Sequence, residues 1–74
     1  MLIYSQDKDL VVNTDAVPRM EIETDYNEGN YKIWCLCCGN PICIGEYSGQ
    51  CFAKRVFQNL CDAYRKKKRI FYMP

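Results

Sequence analysis

Six cysteines are the residues of this 74-residue sequence best suited to bind a metal or to react. Four of them form the pattern Cys35-x-Cys37-Cys38-x4-Cys43, which suggests zinc. Structural zinc sites favour a C-x2–4-C spacing that wraps a tight turn around the ion. A strand over 31–38 would instead direct Cys35 and Cys37 to one face and Cys38 to the other, so the thiols could not converge on one ion. We therefore interpret the cysteines as small apolar residues within a sheet. Zinc binding and a disulfide between Cys38 and Cys43 are the alternatives.

The sequence has no histidine, which removes the most common general base and the most common metal ligand. It also lacks a G-x4-G-K-[ST] phosphate-binding loop, a G-x-G-x-x-G motif and a nucleophile elbow. A cysteine nucleophile would have no imidazole to activate it. These absences predict a protein that is not an enzyme, holds no metal and needs no cofactor.

Charge is distributed unevenly, and the second part of the chain is basic. Residues 31–74 carry eight cations and two acids, a net charge of +6. An aromatic ring that stacks on a base and a cation that meets a phosphate are the parts of a nucleotide site. The predicted ligand-binding residues are therefore Trp34, Tyr47, Lys54, Arg55, Tyr64, Arg65 and Arg69. The structural alternative is that Trp34 and Tyr64 belong to the core.

The first part of the chain is acidic: residues 1–30 carry seven acids and two cations, a net charge of −5. Spaced carboxylates can bind the basic groove of another protein, which suggests a protein–protein inhibitor or a DNA mimic that targets a defence protein or a nucleic-acid-binding protein. The predicted residues for that alternative are Glu21, Glu23, Asp25, Tyr26 and Glu28. A second alternative is nonspecific nucleic-acid binding through the basic run 65–69, although cations in a last helical turn also suit the helix dipole. The acidic and basic halves can also simply neutralise each other.

Hydrophobic periodicity predicts the elements that position these residues. Strands are expected at Leu2–Tyr4, at Leu10–Val12 and over 16–23, where Met20 and Ile22 alternate with charged residues. A helix is expected over about 49–66, with Ser48 as its N-cap. Its apolar stripe consists of Ala53, Val56, Phe57, Leu60, Cys61 and Tyr64. A short apolar tail, either a last strand or a partner-binding segment, occupies 70–74.

The fold prediction is α+β: an antiparallel β-meander of five or six short strands, packed on one C-terminal amphipathic helix, in a single domain over 1–74. Hydrophobic residues make up 49% of the sequence and charged residues 26%, which argues against disorder. No apolar run is long enough to cross a bilayer, and the first residues do not resemble a secretory signal. We therefore expect a cytoplasmic protein without a membrane partner.

A Gly39-Asn40 turn is expected to join two strands into a hairpin. That turn would pair Leu36 with Cys43, Cys35 with Ile44 and Trp34 with Gly45. One face would carry Ile33, Cys35, Cys37, Ile42 and Ile44, and the other Trp34, Leu36, Cys38 and Cys43. Both faces would be apolar, although the helix can cover only one of them. The sequence therefore predicts a homo-oligomer that associates through an apolar sheet face or through the tail.

Several segments of the chain form a familiar pattern. They are Tyr4-Ser5-Gln6-Asp7, Gly45-Glu46-Tyr47-Ser48, the helix residues Ala53, Val56, Ala63 and Tyr64, and Phe71-Tyr72-Met73-Pro74. Together they resemble small phage and prophage proteins of Gram-positive bacteria. The resemblance covers most of the chain, but its motifs are structural and include no catalytic signature. It implies a host-defence antagonist, acting in the host cytoplasm as an oligomer that sequesters an anionic nucleotide signal or as an inhibitor of a host protein.

Overall fold

The computed structural model describes residues 1–17, 19–25, 29–37 and 40–74, with only the main chain of Ala16, Asp25 and Cys37. It confirms the α+β prediction, with six strands and one α-helix. The elements are β1 (Leu2–Tyr4), β2 (Val11–Asn13), a 3-10 helix (Thr14–Ala16), β3 (Arg19–Asp25), β4 (Asn30–Cys37), β5 (Asn40–Tyr47), α1 (Gln50–Arg65) and β6 (Ile70–Tyr72).

The strands form two three-stranded sheets. Sheet 1 has the order β2-β1-β6, and sheet 2 is the antiparallel meander β3-β4-β5. The predicted apolar tail is a strand, and β6 runs parallel to β1, so that Leu2 faces Ile70 and Tyr4 faces Tyr72. Main-chain bonds from Leu2 to Arg69 (2.8 Å) and from Met73 to Tyr4 (3.0 Å) extend this pairing beyond both ends of β6. The strands therefore do not follow one another in a single meander.

The predicted register of the β4–β5 hairpin is wrong by two residues. Trp34 pairs with Cys43, Cys35 with Ile42 and Leu36 with Pro41, so Asn40 belongs to the strand. Gly39 and Cys38 lie outside the described residues. In this part of the hairpin, a two-residue slip leaves each side chain on its predicted face, so the hydrophobic pattern does not distinguish the two registers.

A β-bulge between Ile33 and Trp34 interrupts the hairpin, because Ile33 pairs with Gly45 while Trp34 pairs with Cys43. Ile44 is the extra residue of β5, and both Ile33 and Ile44 are buried. The bulge thus brings two large apolar side chains from the two strands into the core. Nothing in the hydrophobic alternation of the sequence indicates this extra residue.

Helix α1 covers the inner face of sheet 2. Ala53, Val56, Leu60 and Ala63 are its buried residues, whereas the predicted stripe members Cys61 and Tyr64 are exposed. The small Ala63 side chain continues the buried line three residues after Leu60. The helix bounds match the prediction, but the N-cap is Gly49, which makes no side-chain capping bond, instead of Ser48. Among the described residues, no helix has the length and apolar character needed to cross a membrane.

One apolar cluster joins both sheets to the helix. It contains Ile3 and Val12 from sheet 1, Ile33, Cys35 and Ile44 from sheet 2, the buried side of α1, and Tyr47 and Met73. The Tyr47 ring lies against Gly45, where an added Cβ would be 2.7 Å from the Tyr47 hydroxyl. The same hydroxyl donates a hydrogen bond to the main-chain oxygen of Pro74 (2.9 Å). Tyr47 therefore ties the end of sheet 2 to the residues that follow β6.

Gln6 connects the two sheets along the outer edge of β5. Its main-chain N–H donates to the Ile44 carbonyl, and its side-chain oxygen accepts from the Glu46 N–H, both at 2.8 Å. One residue thus satisfies two main-chain groups of an edge strand, much as a neighbouring strand would.

We predict that Tyr47→Phe lowers the free energy of unfolding by about 1 kcal/mol near neutral pH, because the bond to Pro74 is lost. Burial, together with the nearby Cys43, raises the pKa of Tyr47 from 10.0 to about 12. Because the folded-state pKa is the higher one, this stabilising contribution is complete below pH 10 and is lost as the pH rises from about 10 to about 12. The stability difference between wild type and Tyr47→Phe should therefore shrink over that range.

Urea unfolding at pH 8 and pH 11, followed by circular dichroism, measures this difference. Tyr64→Phe is the matched control because Tyr64 is 60% exposed. A deficit of Tyr47→Phe that stays constant between the two pH values would contradict the buried, hydrogen-bonded hydroxyl.

Candidate anion-binding site

The C-terminal end of α1 is closed by main-chain hydrogen bonds. The N–H groups of Lys66, Lys67 and Lys68 donate to the carbonyls of Asp62, Tyr64 and Ala63, respectively, at 2.9 to 3.0 Å. This arrangement is a Schellman motif, in which the residue after the C-cap takes a left-handed conformation. Because these carbonyls are bonded by main-chain donors, the side chains of Lys67 and Lys68 are not needed as caps.

Lys67 is the left-handed residue of this motif, with φ 59°. Glycine is the usual residue there, because a side chain in the left-handed region costs about 1 kcal/mol or more. A lysine at this position keeps a cation at the helix end at the expense of stability. Local strain of this kind is found preferentially at functional sites.

A concave basic pocket of about 480 Å3 lies beside this helix end. Its volume falls within the range of small-molecule sites. Because β6 pairs with β1, the start of β1 lies next to the segment that follows the helix. The residues that line the basic pocket are Met1, Tyr64, Arg65, Lys67, Lys68 and Arg69. Four of the six carry cationic side chains, and none is acidic.

Tyr64 and Arg65 occupy the helix side of the basic pocket. Tyr64 is 60% exposed, so a face of its ring is accessible to a ligand. Arg65 donates a hydrogen bond to the carboxylate of Asp62, one turn earlier on the helix. This bond, with a second from Gln58 (3.1 Å), lowers the pKa of Asp62. The ion pair orients the guanidinium while offsetting part of its charge.

The structure brings together three of the predicted ligand-binding residues, Tyr64, Arg65 and Arg69, and leaves the other four elsewhere. Lys54 and Arg55 are exposed near the start of α1, which places them about 15 Å along the helix axis from Arg65. Tyr47 is buried and bonded to Pro74, so it does not act as a stacking ring. These three residues are therefore not part of the same site.

Trp34 lies on the outer face of sheet 2, where it is half-buried beside Glu21 and Cys43. Its indole N–H is buried and has no hydrogen-bond acceptor among the described residues. The prediction of two dry faces is met on the inner face alone. The outer face mixes half-buried Trp34 and Leu36 with exposed Cys43 and charged neighbours.

The acids of β3 do not form an uninterrupted negative surface. Glu21 is half-buried and forms an ion pair with Arg19 (2.8 Å), and Glu23 faces Lys32 across the sheet. Lys32 in turn approaches Glu46 at 3.7 Å. The remaining residues of the acidic-face prediction, Tyr26 and Glu28 and the side chain of Asp25, lie outside the described part of the chain.

The described cysteines do not converge on a common centre. Cys35 is buried in the core, whereas Cys43, Cys51 and Cys61 are exposed, and Cys43 donates a long hydrogen bond to the Gly45 carbonyl (3.5 Å). Among the described residues, no three metal-ligating side chains are close enough to hold an ion. Cys38, half of the alternative disulfide, lies outside these residues.

Sequence reasoning assigned Lys67 and Lys68 to a basic run and did not assign Met1 to any site. The lysines line the basic pocket because the helix ends just before them, and the sequence predicts this helix end. Met1 belongs there because β6 pairs with β1, and a parallel pairing between distant segments leaves no short-range signal.

Comparison of the chain with protein families, with characterised proteins and with solved structures found no match. The interpretation of the basic pocket therefore rests on its own geometry.

We predict that Lys67→Gly raises the free energy of unfolding by about 1 kcal/mol, because glycine takes the left-handed conformation without steric strain. Lys66→Gly is the matched control: it removes the same charge one residue earlier, where φ is −81°. That change should be destabilising, since glycine there only loses conformational freedom. Thermal and urea unfolding of both variants measure the effect, and equal destabilisation by the two would contradict the strained Lys67.

Proposed function

We propose that this protein is a non-enzymatic binding protein that holds a nucleotide-type anion in the basic pocket. The observation that carries the proposal is that four cationic side chains and an exposed tyrosine ring line one pocket without an acid among them. Cations meet the phosphates, and Tyr64 stacks on the base. The pocket's own side chains include no carboxylate, thiol or imidazole, which supports binding over catalysis.

The strained Lys67 supports the same proposal from a different direction. A lysine that serves only to end the helix gains nothing over glycine at that position. A lysine that contacts a phosphate gains binding energy in return for the strain. Main-chain N–H groups already bond the last helix carbonyls, so the neighbouring cationic side chains are available to bind a ligand.

The resemblance to small phage proteins extends this proposal to a biological role. We propose that the bound nucleotide is a host signal, and that its sequestration in the host cytoplasm antagonises a defence response. Inhibition of a host protein through the acidic residues is the less favoured alternative, because the acids of β3 pair with Arg19 or face Lys32. The experiments below distinguish it from nucleotide binding.

Calorimetric titration with ATP and with pyrophosphate tests the site. Lys68→Gln and Arg69→Gln should each weaken both ligands about three- to tenfold, as expected for loss of one charge-assisted contact near a surface. Tyr64→Leu should weaken ATP roughly tenfold and leave pyrophosphate unchanged, because only ATP offers a base for stacking.

Matched controls come from the same helix. Lys54→Gln and Arg55→Gln remove the same charge from exposed positions near the start of α1 and should leave both affinities unchanged. Lys67→Gly should bind more weakly while being more stable, so unfolding cannot explain the loss. If Lys54→Gln weakens binding as much as Lys68→Gln, the anion responds to net charge alone and the pocket is not a site.

Oligonucleotides distinguish this proposal from nonspecific nucleic-acid binding. An affinity for oligo-dT that increases with length, falls steeply with salt and depends on Lys54 as well as Lys68 would replace the proposed function. The acidic-face inhibitor would be favoured if wild type does not bind ATP but binds a host protein, and if Glu21→Lys and Glu23→Lys each lose that host-protein binding.

A further inference from the structure

Sheet 1 has one covered face and one open apolar face. Ile3, Val12 and Phe71 share the face that meets the core, because they pair with one another across the three strands. The alternate residues share the opposite face. This outer face of sheet 1 consists of Leu2, Tyr4, Val11, Asn13, Ile70 and Tyr72.

Four of these six side chains are large, apolar or aromatic, and at least 38% exposed: Leu2, Val11, Ile70 and Tyr72. Tyr4 stacks on Tyr72 with ring centroids 5.0 Å apart, so the two rings form one broad aromatic surface. Asn13 is the one polar member of the face. An apolar, uncharged sheet face of this kind is characteristic of an interface.

The two ends of this face carry opposite charges. Where β1 and β6 begin, the basic pocket presents Lys67, Lys68 and Arg69. Where β1 finishes, a second pocket of about 360 Å3 contains the carboxylates Asp7, Asp9 and Glu46. Lys8 lies in the same turn but does not line that second pocket.

We propose that the outer face of sheet 1 binds a second copy of this chain, with the strands of the two copies antiparallel. A two-fold axis that lies in the interface and is perpendicular to β1 reverses the strand direction and brings the two apolar faces together. The same operation places the basic end of each copy over the acidic end of the other. A two-fold axis parallel to β1 would instead oppose like charges.

The chain is also slightly more exposed than an average monomer of its mass. The chain exposes 5146 Å2, whereas a monomer of 8.7 kDa is expected to expose roughly 4,700 Å2. The interface shares Lys67, Lys68 and Arg69 with the basic pocket, but it does not require a bound nucleotide, because the outer face and its charged ends suffice. It also differs from the outer face of sheet 2, where Trp34 and Leu36 are half-buried among charges.

Sedimentation equilibrium of wild type across the micromolar range tests the proposal. A reversible dimer is expected, and Tyr72→Lys and Val11→Lys should each raise its dissociation constant about tenfold or more. Both positions are exposed, so the variants are expected to fold, and circular dichroism verifies this for each. Leu36→Lys, on the outer face of sheet 2, is the matched control and should leave the dimer intact.

Charge reversal tests the antiparallel orientation. Asp7→Lys and Lys68→Glu should each weaken the dimer, because each places like charges opposite one another. The double variant should recover the dimer, because the facing ends of the two copies are then again opposite in charge. Glu23→Lys makes the same change on β3 and should have no effect. A monomer at every concentration, a dimer broken by Leu36→Lys but not by Tyr72→Lys, or a double variant weaker than both single variants would overturn the proposal.

Discussion

The parallel pairing of β6 with β1 is the interaction on which the rest of the structure depends. It joins segments 68 residues apart along the chain, as the pairing of Leu2 with Ile70 shows. It converts an apolar tail into a strand, carries Met73 into the core and brings Pro74 within reach of the Tyr47 hydroxyl. It also folds the basic segment after α1 back against the start of β1, which adds Met1 to the lining of the basic pocket.

The helix end shows how stability and charge compete at one residue. Main-chain bonds close the helix, and the left-handed position that they require is occupied by Lys67 rather than by glycine. Tyr64, which a regular apolar stripe would bury, is exposed because Ala63 supplies the last buried contact. The side chains of Lys67 and Tyr64 are therefore both exposed on the same side of the molecule. For this reason the basic pocket contains an aromatic ring as well as cations.

The fold class, the helix and the inward faces of the strands could be predicted because they depend on local periodicity. Met20 and Ile22 alternate with charged residues, and α1 ends within one residue of the predicted limit. The hairpin register was not predictable, because a slip of two residues buries the same side chains. The bulge at Ile33 and the division into two sheets depend on contacts between distant segments. For that reason Tyr64, Arg65 and Arg69 were found from sequence while Met1 was not.

The position of β1 between β2 and β6 has a consequence for synthesis on the ribosome. β2 is available as soon as the first residues emerge, but β6 is made only after the helix and the whole of sheet 2. One edge of β1 therefore stays unpaired while most of the chain is translated, and nascent chains with open strand edges are prone to mispairing. Gln6 bonds to β5, so this link between the two sheets also forms later than the pairing of β1 with β2. Sheet 1 is thus expected to become complete only after the helix and sheet 2 have been made.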